Sequence, residues 1–178
     1  MFRTLFGSLR SAAAAAALGL ALLGPAALSA QDVLGLPVGS QAPAASVQDL
    51  EGKPLELLTL IPKGKPALLE FWATWCEQCE QLQPQLDRIQ RELGSQINVV
   101  AVAVGVNQTP RRIQRHLEGH NPGYPFVYDA RGDAVRKYQA MTTSIVMLLD
   151  KDGKVVYADV GPDQDLMAAV RKVLGVTQ

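Results

Sequence analysis

Only two cysteines, Cys76 and Cys79, occur in this 178-residue chain, beside two histidines, two tryptophans, four tyrosines and four phenylalanines. So few cysteines exclude a scaffold stapled by several disulfides. One bridge across so short a loop restricts the unfolded chain little, so a purely structural role gains little stability. With no second Cys-x-x-Cys pair, a four-cysteine zinc site is excluded as well. Charge of either sign is not in excess: 17 lysines and arginines face 17 aspartates and glutamates. There is no long basic run and no clustered array of aromatics, so nothing supports nucleic-acid binding. Internal repeats, a low-complexity linker past residue 43 and a second domain are also missing.

What is present begins with a targeting pattern. Arg3 and Arg10 precede an Ala/Leu-rich run from Ser11 to Leu23, and small residues follow around Ala27-Leu28-Ser29-Ala30. This predicts residues 1–30 as a signal peptide and an exported protein. Cleavage after Ser29 and cleavage after Ala30 both remain open, and no cysteine follows to carry a lipid. The alternative is an uncleaved membrane anchor, since Ser11 to Ala30 is near the length that spans a bilayer, although Gly24-Pro25 interrupts it. Without the segment, 15 basic and 17 acidic residues remain in about 148 residues, one domain's worth.

That remainder alternates strand-like and helix-like stretches. Ala45 to Asp49 and Leu55 to Leu60 flank Glu51-Gly52-Lys53-Pro54 and read as a hairpin. Pro66 to Trp72 is an apolar run with the pattern of a buried strand. An amphipathic helix follows, with Leu82, Leu86, Ile89 and Leu93 on one face. Ile97 to Val104 reads as the next strand, and Thr109 to Leu117 as a helix with Thr109 as cap and Pro110 at its first position. Phe126 to Tyr128 suits a short strand, Ala134 to Tyr138 a short helix, and Ile145 to Leu149 a central strand. Asp152-Gly153 turns into Val155 to Val160, and a last helix runs from Asp163 to Leu174 with Gly175 past its end. The order predicts an α/β fold, a mixed sheet between helices.

The cysteines fall where the buried strand gives way to the amphipathic helix. A sulfur at a helix N-terminus meets unpaired backbone N–H groups and the positive end of the helix dipole, which stabilise a thiolate. Cys76 has that position, and Cys79 lies one turn on, in reach to resolve a mixed disulfide. Glu77, between them, is expected in solvent, where its charge disfavours the Cys76 thiolate and favours a reducing pair.

From about Val38 to Leu174 the chain resembles the TlpA-like branch of the thioredoxin-fold proteins, exported thiol–disulfide oxidoreductases. The specific part is Phe71-Trp72-Ala73-Thr74-Trp75-Cys76-x-x-Cys79. Gly39-Ser40-Gln41-Ala42-Pro43, Gly52-Lys53, Pro84 and Leu148-Leu149-Asp150-Lys151-Asp152-Gly153-Lys154 support it. The resemblance implies a thioredoxin fold with an N-terminal β-hairpin extension. It implies Cys76 as the attacking thiol, Cys79 as the resolving thiol and Trp75 on the substrate surface. Glu70 falls where thioredoxins keep a buried acid, whose raised pKa would let it relay the proton of Cys79. A strand-end carboxylate facing water or a lysine is the other reading of Glu70. The resemblance further implies protein disulfide substrates such as apocytochromes or metal-centre assembly factors, a membrane thiol–disulfide electron donor, a periplasmic or otherwise exported location, a monomer, and no cofactor beyond the cysteine pair.

Two positions depart from the family pattern. Thioredoxin-fold oxidoreductases carry a cis-proline facing the cysteines, and here Thr143-Ser144 stands there with Ser144 in the proline slot. Thr143 and Ser144 are expected in substrate binding, with a trans bond or a locally different loop as the default, because a non-proline cis bond costs about 2.5–4 kcal/mol. Leu82 stands where many members carry a glutamate. An open slot at Ser144 keeps an alternative alive, Cu(I) handling for oxidase assembly through the same cysteine pair. That alternative needs a third ligand, and His116 and His120 are the histidines available. His116 is expected as an exposed helical residue and His120 as a loop or capping residue.

Overall fold

The computed structural model describes residues 34–176, so the expected signal segment lies outside the described residues. Seven strands form one sheet: β1 (Ser46–Gln48), β2 (Pro54–Glu56), β3 (Ala67–Trp72), β4 (Asn98–Val104), β5 (Phe126–Asp129), β6 (Ile145–Leu149) and β7 (Val155–Val160). Their spatial order is β2-β1-β5-β4-β3-β6-β7. Strands β3, β4 and β5 run parallel, and β6 and β7 add antiparallel beside β3. The helices are α1 (Glu77–Leu93), α2 (Pro110–His116), α3 (Asp133–Lys137) and α4 (Leu166–Leu174). This is the mixed-sheet α/β thioredoxin-like fold, with the expected N-terminal hairpin at one edge. Among the described residues no helix is long and apolar enough to cross a membrane.

Strands β3 and β6 are buried along their whole length. Neighbours on both sides and helices on the sheet faces explain why they read as continuous apolar runs rather than alternating ones. On α1, Leu82, Leu86 and Ile89 are buried at helical spacing, together with Cys79 one turn earlier. The first turn of α1 is thereby packed on the core.

Two element boundaries differ from the sequence reading by more than one residue. The second hairpin strand ends at Glu56, and Leu57–Leu60 form a 3-10 turn. Glu56 is the cause: its Oε1 accepts from Leu58 N–H and from Ala45 N–H, both at 3.0 Å, capping the turn and tying it to the hairpin. The last helix starts at Leu166 rather than Asp163, with Asp165 as cap accepting from Ala168 N–H at 2.9 Å. The intervening Gln164 is buried and spends its amide on Ser144 O and Gly161 O instead.

Candidate active site

Cys76 is the N-cap of α1, and its Sγ accepts from Cys79 N–H at 3.1 Å. The two sulfurs are joined in a disulfide, with Cα atoms 5.3 Å apart. Both are buried, so only an edge of the pair meets solvent. Glu77 is exposed, as expected. Trp75 precedes the pair and is 45 % exposed, its indole N–H donating to Val106 O at 2.9 Å. The preceding turn is held from below by Gln108, a buried amide that accepts from Thr74 N–H and donates to Val104 O.

Glu70 is 2 % exposed, so the reading as a water-facing carboxylate is corrected. It lies in the middle of β3, paired in register with Ala101 of β4 and Val146 of β6, where no lysine partners it. Its Oε1 is buried with no hydrogen-bond partner. Burial without a compensating charge penalises the ionised form and pushes the Glu70 pKa up to about 8. Strand alternation sets Glu70 and Trp72 on the same face of β3. Trp72 is 4 % exposed, and its indole N–H is also buried without a partner.

A cavity of about 180 Å³ opens beside Cys79. Trp72, Glu80 and Gln83 wall it, and both histidines, His116 and His120, line it as well. His116 is the exposed residue at the end of α2 and His120 the loop residue that sequence suggests, and the fold brings both to one cavity. The His116 ring packs on Trp72 with centroids 5.6 Å apart, and His120 Nε2 lies 3.5 Å from Asp87 Oδ1. A larger groove of about 440 Å³ runs from Trp75 and Val106 to Met141 and Thr143. Its rim carries the exposed apolar side chains of Val106 and Met141, the latter 73 % exposed.

Ser144 is fully buried, with φ of 61°, and the described residues contain no cis peptide bond. The trans default at this slot therefore holds. Its Oγ stands 2.9 Å from Gln78 Oε1 and 2.6 Å from Thr143 O, and accepts from Gly161 N–H at 3.2 Å. Ser144 O accepts from Gln164 Nε2 at 3.0 Å. The loop facing the cysteines is hence fastened through Gln78 to the Cys-x-x-Cys turn itself. Sequence reasoning passed over Gln78, Gln108 and Gln164. Their one signal is a glutamine at a turn or helix start, a residue type with no preferred place in any motif.

A family profile described as Redoxin matches residues 37–174. The chain is 32 % identical over 122 residues to a thiol-disulfide oxidoreductase ResA of Bacillus thuringiensis subsp. konkukian, covering 67 % of each chain. It is 30 % identical over 129 residues to a thioredoxin-like protein YneN of Bacillus subtilis, covering 72 % of this chain and 74 % of the relative. Among solved structures, the thioredoxin domain of a Bacteroides vulgatus thiol-disulfide oxidoreductase matches with a TM-score of 0.67 at 24 % identity, over 78 % of this chain and 99 % of that one. A thiol:disulfide interchange protein from a Bacteroides species matches with a TM-score of 0.67 at 24 % identity, over 80 % of this chain and 93 % of that one. These two structures share the fold.

Proposed function

Because the chain belongs to the Redoxin family, as a thiol–disulfide oxidoreductase of its TlpA-like branch, we propose that it acts outside the cytoplasm as a reductant of disulfides in partner proteins. The observation that carries this reading is a cysteine pair at a helix cap with an uncompensated carboxyl buried in the neighbouring strand.

The reaction proceeds in two displacements. The Cys76 thiolate attacks one sulfur of the partner's disulfide, and the partner's other sulfur leaves as a thiolate that takes a proton from water. Cys79 then gives its proton to the Glu70 carboxylate and attacks Cys76 Sγ. The Cys76–Cys79 bond forms, the mixed disulfide breaks, and the second partner sulfur leaves. Two electrons pass from the thiol pair to the partner, and no further cofactor is invoked. A membrane thiol–disulfide donor would return the pair to its reduced form, with Cys79 taking up a proton from solvent.

The negative charges nearby set the direction. Ionised Glu70 and solvent-exposed Glu77 both disfavour a thiolate at this cap, which favours the disulfide and makes the reduced pair a donor. The groove bounded by Trp75, Met141 and Thr143 suits an apolar strand of the partner. Apocytochromes and metal-centre assembly factors are the classes of partner in view. Thiol trapping with mass detection across dithiothreitol redox buffers tests the proposal. A reversible two-electron transition well below the glutathione range is expected, and thiols that stay reduced across the series would overturn it. Cys76→Ser is expected to abolish exchange and Cys79→Ser to accumulate mixed disulfides with partners.

One observation speaks for the copper-handling alternative, the presence of His116 and His120 in one cavity with Cys79. With the cysteines joined as a disulfide, no three His, Cys, Asp or Glu side chains among the described residues are grouped to hold a metal. No step is therefore drawn through a metal.

A further inference from the structure

Glu70 can take the Cys79 proton only while its carboxyl is ionised, so its own proton must leave before each closure, yet the interior around Glu70 offers it no partner. Building on the role of Glu70 above, we propose that the cavity beside Cys79 is the proton outlet of the site, with His120 as the relay at its mouth and Asp87 as the group that positions it.

Three buried polar atoms without partners mark the route: Glu70 Oε1, Trp72 Nε1 and His120 Nε2. Trp72 and His120 line one cavity with Cys79, and Glu70 is the next residue inward on the same strand face as Trp72. Leaving such groups unsatisfied costs free energy each, which ordered water removes where the space is polar and roomy enough. About 180 Å³ holds several waters. The wall supplies a fixed hydrogen-bonded line as well. Gln83 Nε2 donates to Asp87 Oδ1 at 2.9 Å and to the Tyr124 hydroxyl oxygen. Tyr124 is buried, and its phenol is held well above the usual range first by desolvation and then by the charge of Glu70. It stays neutral and keeps its O–H as a donor.

The outer end has the right chemistry. His120 Nε2 stands 3.5 Å from Asp87 Oδ1, too long for a closed hydrogen bond yet close enough for attraction once the imidazole is protonated. An imidazole accepts a proton on one nitrogen and releases it from the other. The His120 side chain is 41 % exposed and the Asp87 side chain 20 %, so the pair bridges the cavity and bulk water. The other ionisable groups facing the cavity are Glu80 from α1 and His116 from the end of α2. Glu80 lies on the cavity wall beside Cys79. His116, its ring tilted at 40° to that of Trp72, forms part of the wall. The transfer balances: the proton leaves Cys79 for Glu70, passes by cavity water to His120 and ends on solvent, with no electron moved beyond those of the disulfide exchange.

The test separates the two thiol steps. Reduced protein is mixed in a rapid-flow spectrometer with the coloured aromatic disulfide dithionitrobenzoate. The first coloured thiolate reports attack by Cys76, and the second reports closure by Cys79. In dilute buffer His120→Gln is expected to slow the second release about tenfold, less than the roughly hundredfold or more of a direct general base, and added imidazole is expected to restore it. Asp87→Asn is expected to slow the same step. It serves as an independent variant on a helix whose packing residues are untouched. Glu70→Gln is expected to slow closure with no rescue by imidazole. If His120→Gln and Asp87→Asn close at the native rate while Glu70→Gln is slow, the outlet is overturned and the role of Glu70 stands. If Glu70→Gln also closes at the native rate, both are overturned.

Discussion

Glu70 is the residue whose environment departs most from its chemistry. Its carboxyl titrates near 4.5 when free and at about 8 in the folded chain. The folded protein therefore holds a proton that the unfolded chain has lost throughout that interval, so stability falls as pH rises from 4.5 to 8 and levels off above. At about 1.4 kcal/mol per unit the full cost approaches about 5 kcal/mol. Denaturant unfolding of the wild type and of Glu70→Gln between pH 5 and 9 is expected to show the slope in the first and its loss in the second. The same titration governs catalysis. With a pKa of about 8, roughly one Glu70 in ten is ionised at pH 7. Closure by Cys79 is expected to accelerate up to about pH 8 and then flatten, and Glu70→Gln to remove that rise. An isolated glutamate in an apolar run could be read from sequence as either buried or strand-end. What decides it is strand register, which fixes Glu70 between Ala101 and Val146 and is a property of the whole sheet.

At the scale of elements, the loop before β6 does by hydrogen bonds what a proline ring does by shape. Ser144 has a positive φ, a region that costs a non-glycine residue about 1–2 kcal/mol. The contacts to Gln78, Gly161 and Gln164 offset that cost. Ser144→Ala removes the hydroxyl and leaves the Gly161 N–H with only the long bond to Ser144 O. It is expected to destabilise the fold by about 1–3 kcal/mol in thermal unfolding and to free the Gln78 side chain. Proline cannot adopt a φ of 61°, so Ser144→Pro forms only if this loop refolds. That substitution is thus a severe change of loop. Most elements were legible because buried strands and amphipathic helices write their period into the chain. The 3-10 turn at Leu57 and the late start of α4 were not. Each depends on one side chain, Glu56 or Gln164, choosing a tertiary partner over a local one.

For the whole molecule, topology supplies the proximity that a linear reading lacks. Parallel β3 and β4 bring the strand that ends at Trp72 beside the strand that leads to α2, and so lay His116 on Trp72. The pair Cys76 and Cys79 was readable because its parts are three residues apart. The cavity shared by Cys79, His116 and His120 joins segments about forty residues apart and was not.

The sulfur cap at the start of α1 also turns a thermometer into an electrode. A thiolate at Cys76 accepts the Cys79 N–H more strongly than a disulfide sulfur does, so this contact favours the reduced fold, while ionised Glu70 favours the oxidised one. Around the closed cycle of folding and reduction, the difference in unfolding free energy between the two forms must equal the difference in reduction potential between the native pair and the same pair in the unfolded chain. About 1.4 kcal/mol of that difference corresponds to about 30 mV. Melting oxidised and reduced protein side by side, at pH 6 and at pH 9, is expected to show the oxidised form gaining on the reduced one as Glu70 ionises. The pair then becomes a stronger donor in alkaline surroundings, and the acid that weakens the fold is the one that sets its electrons moving.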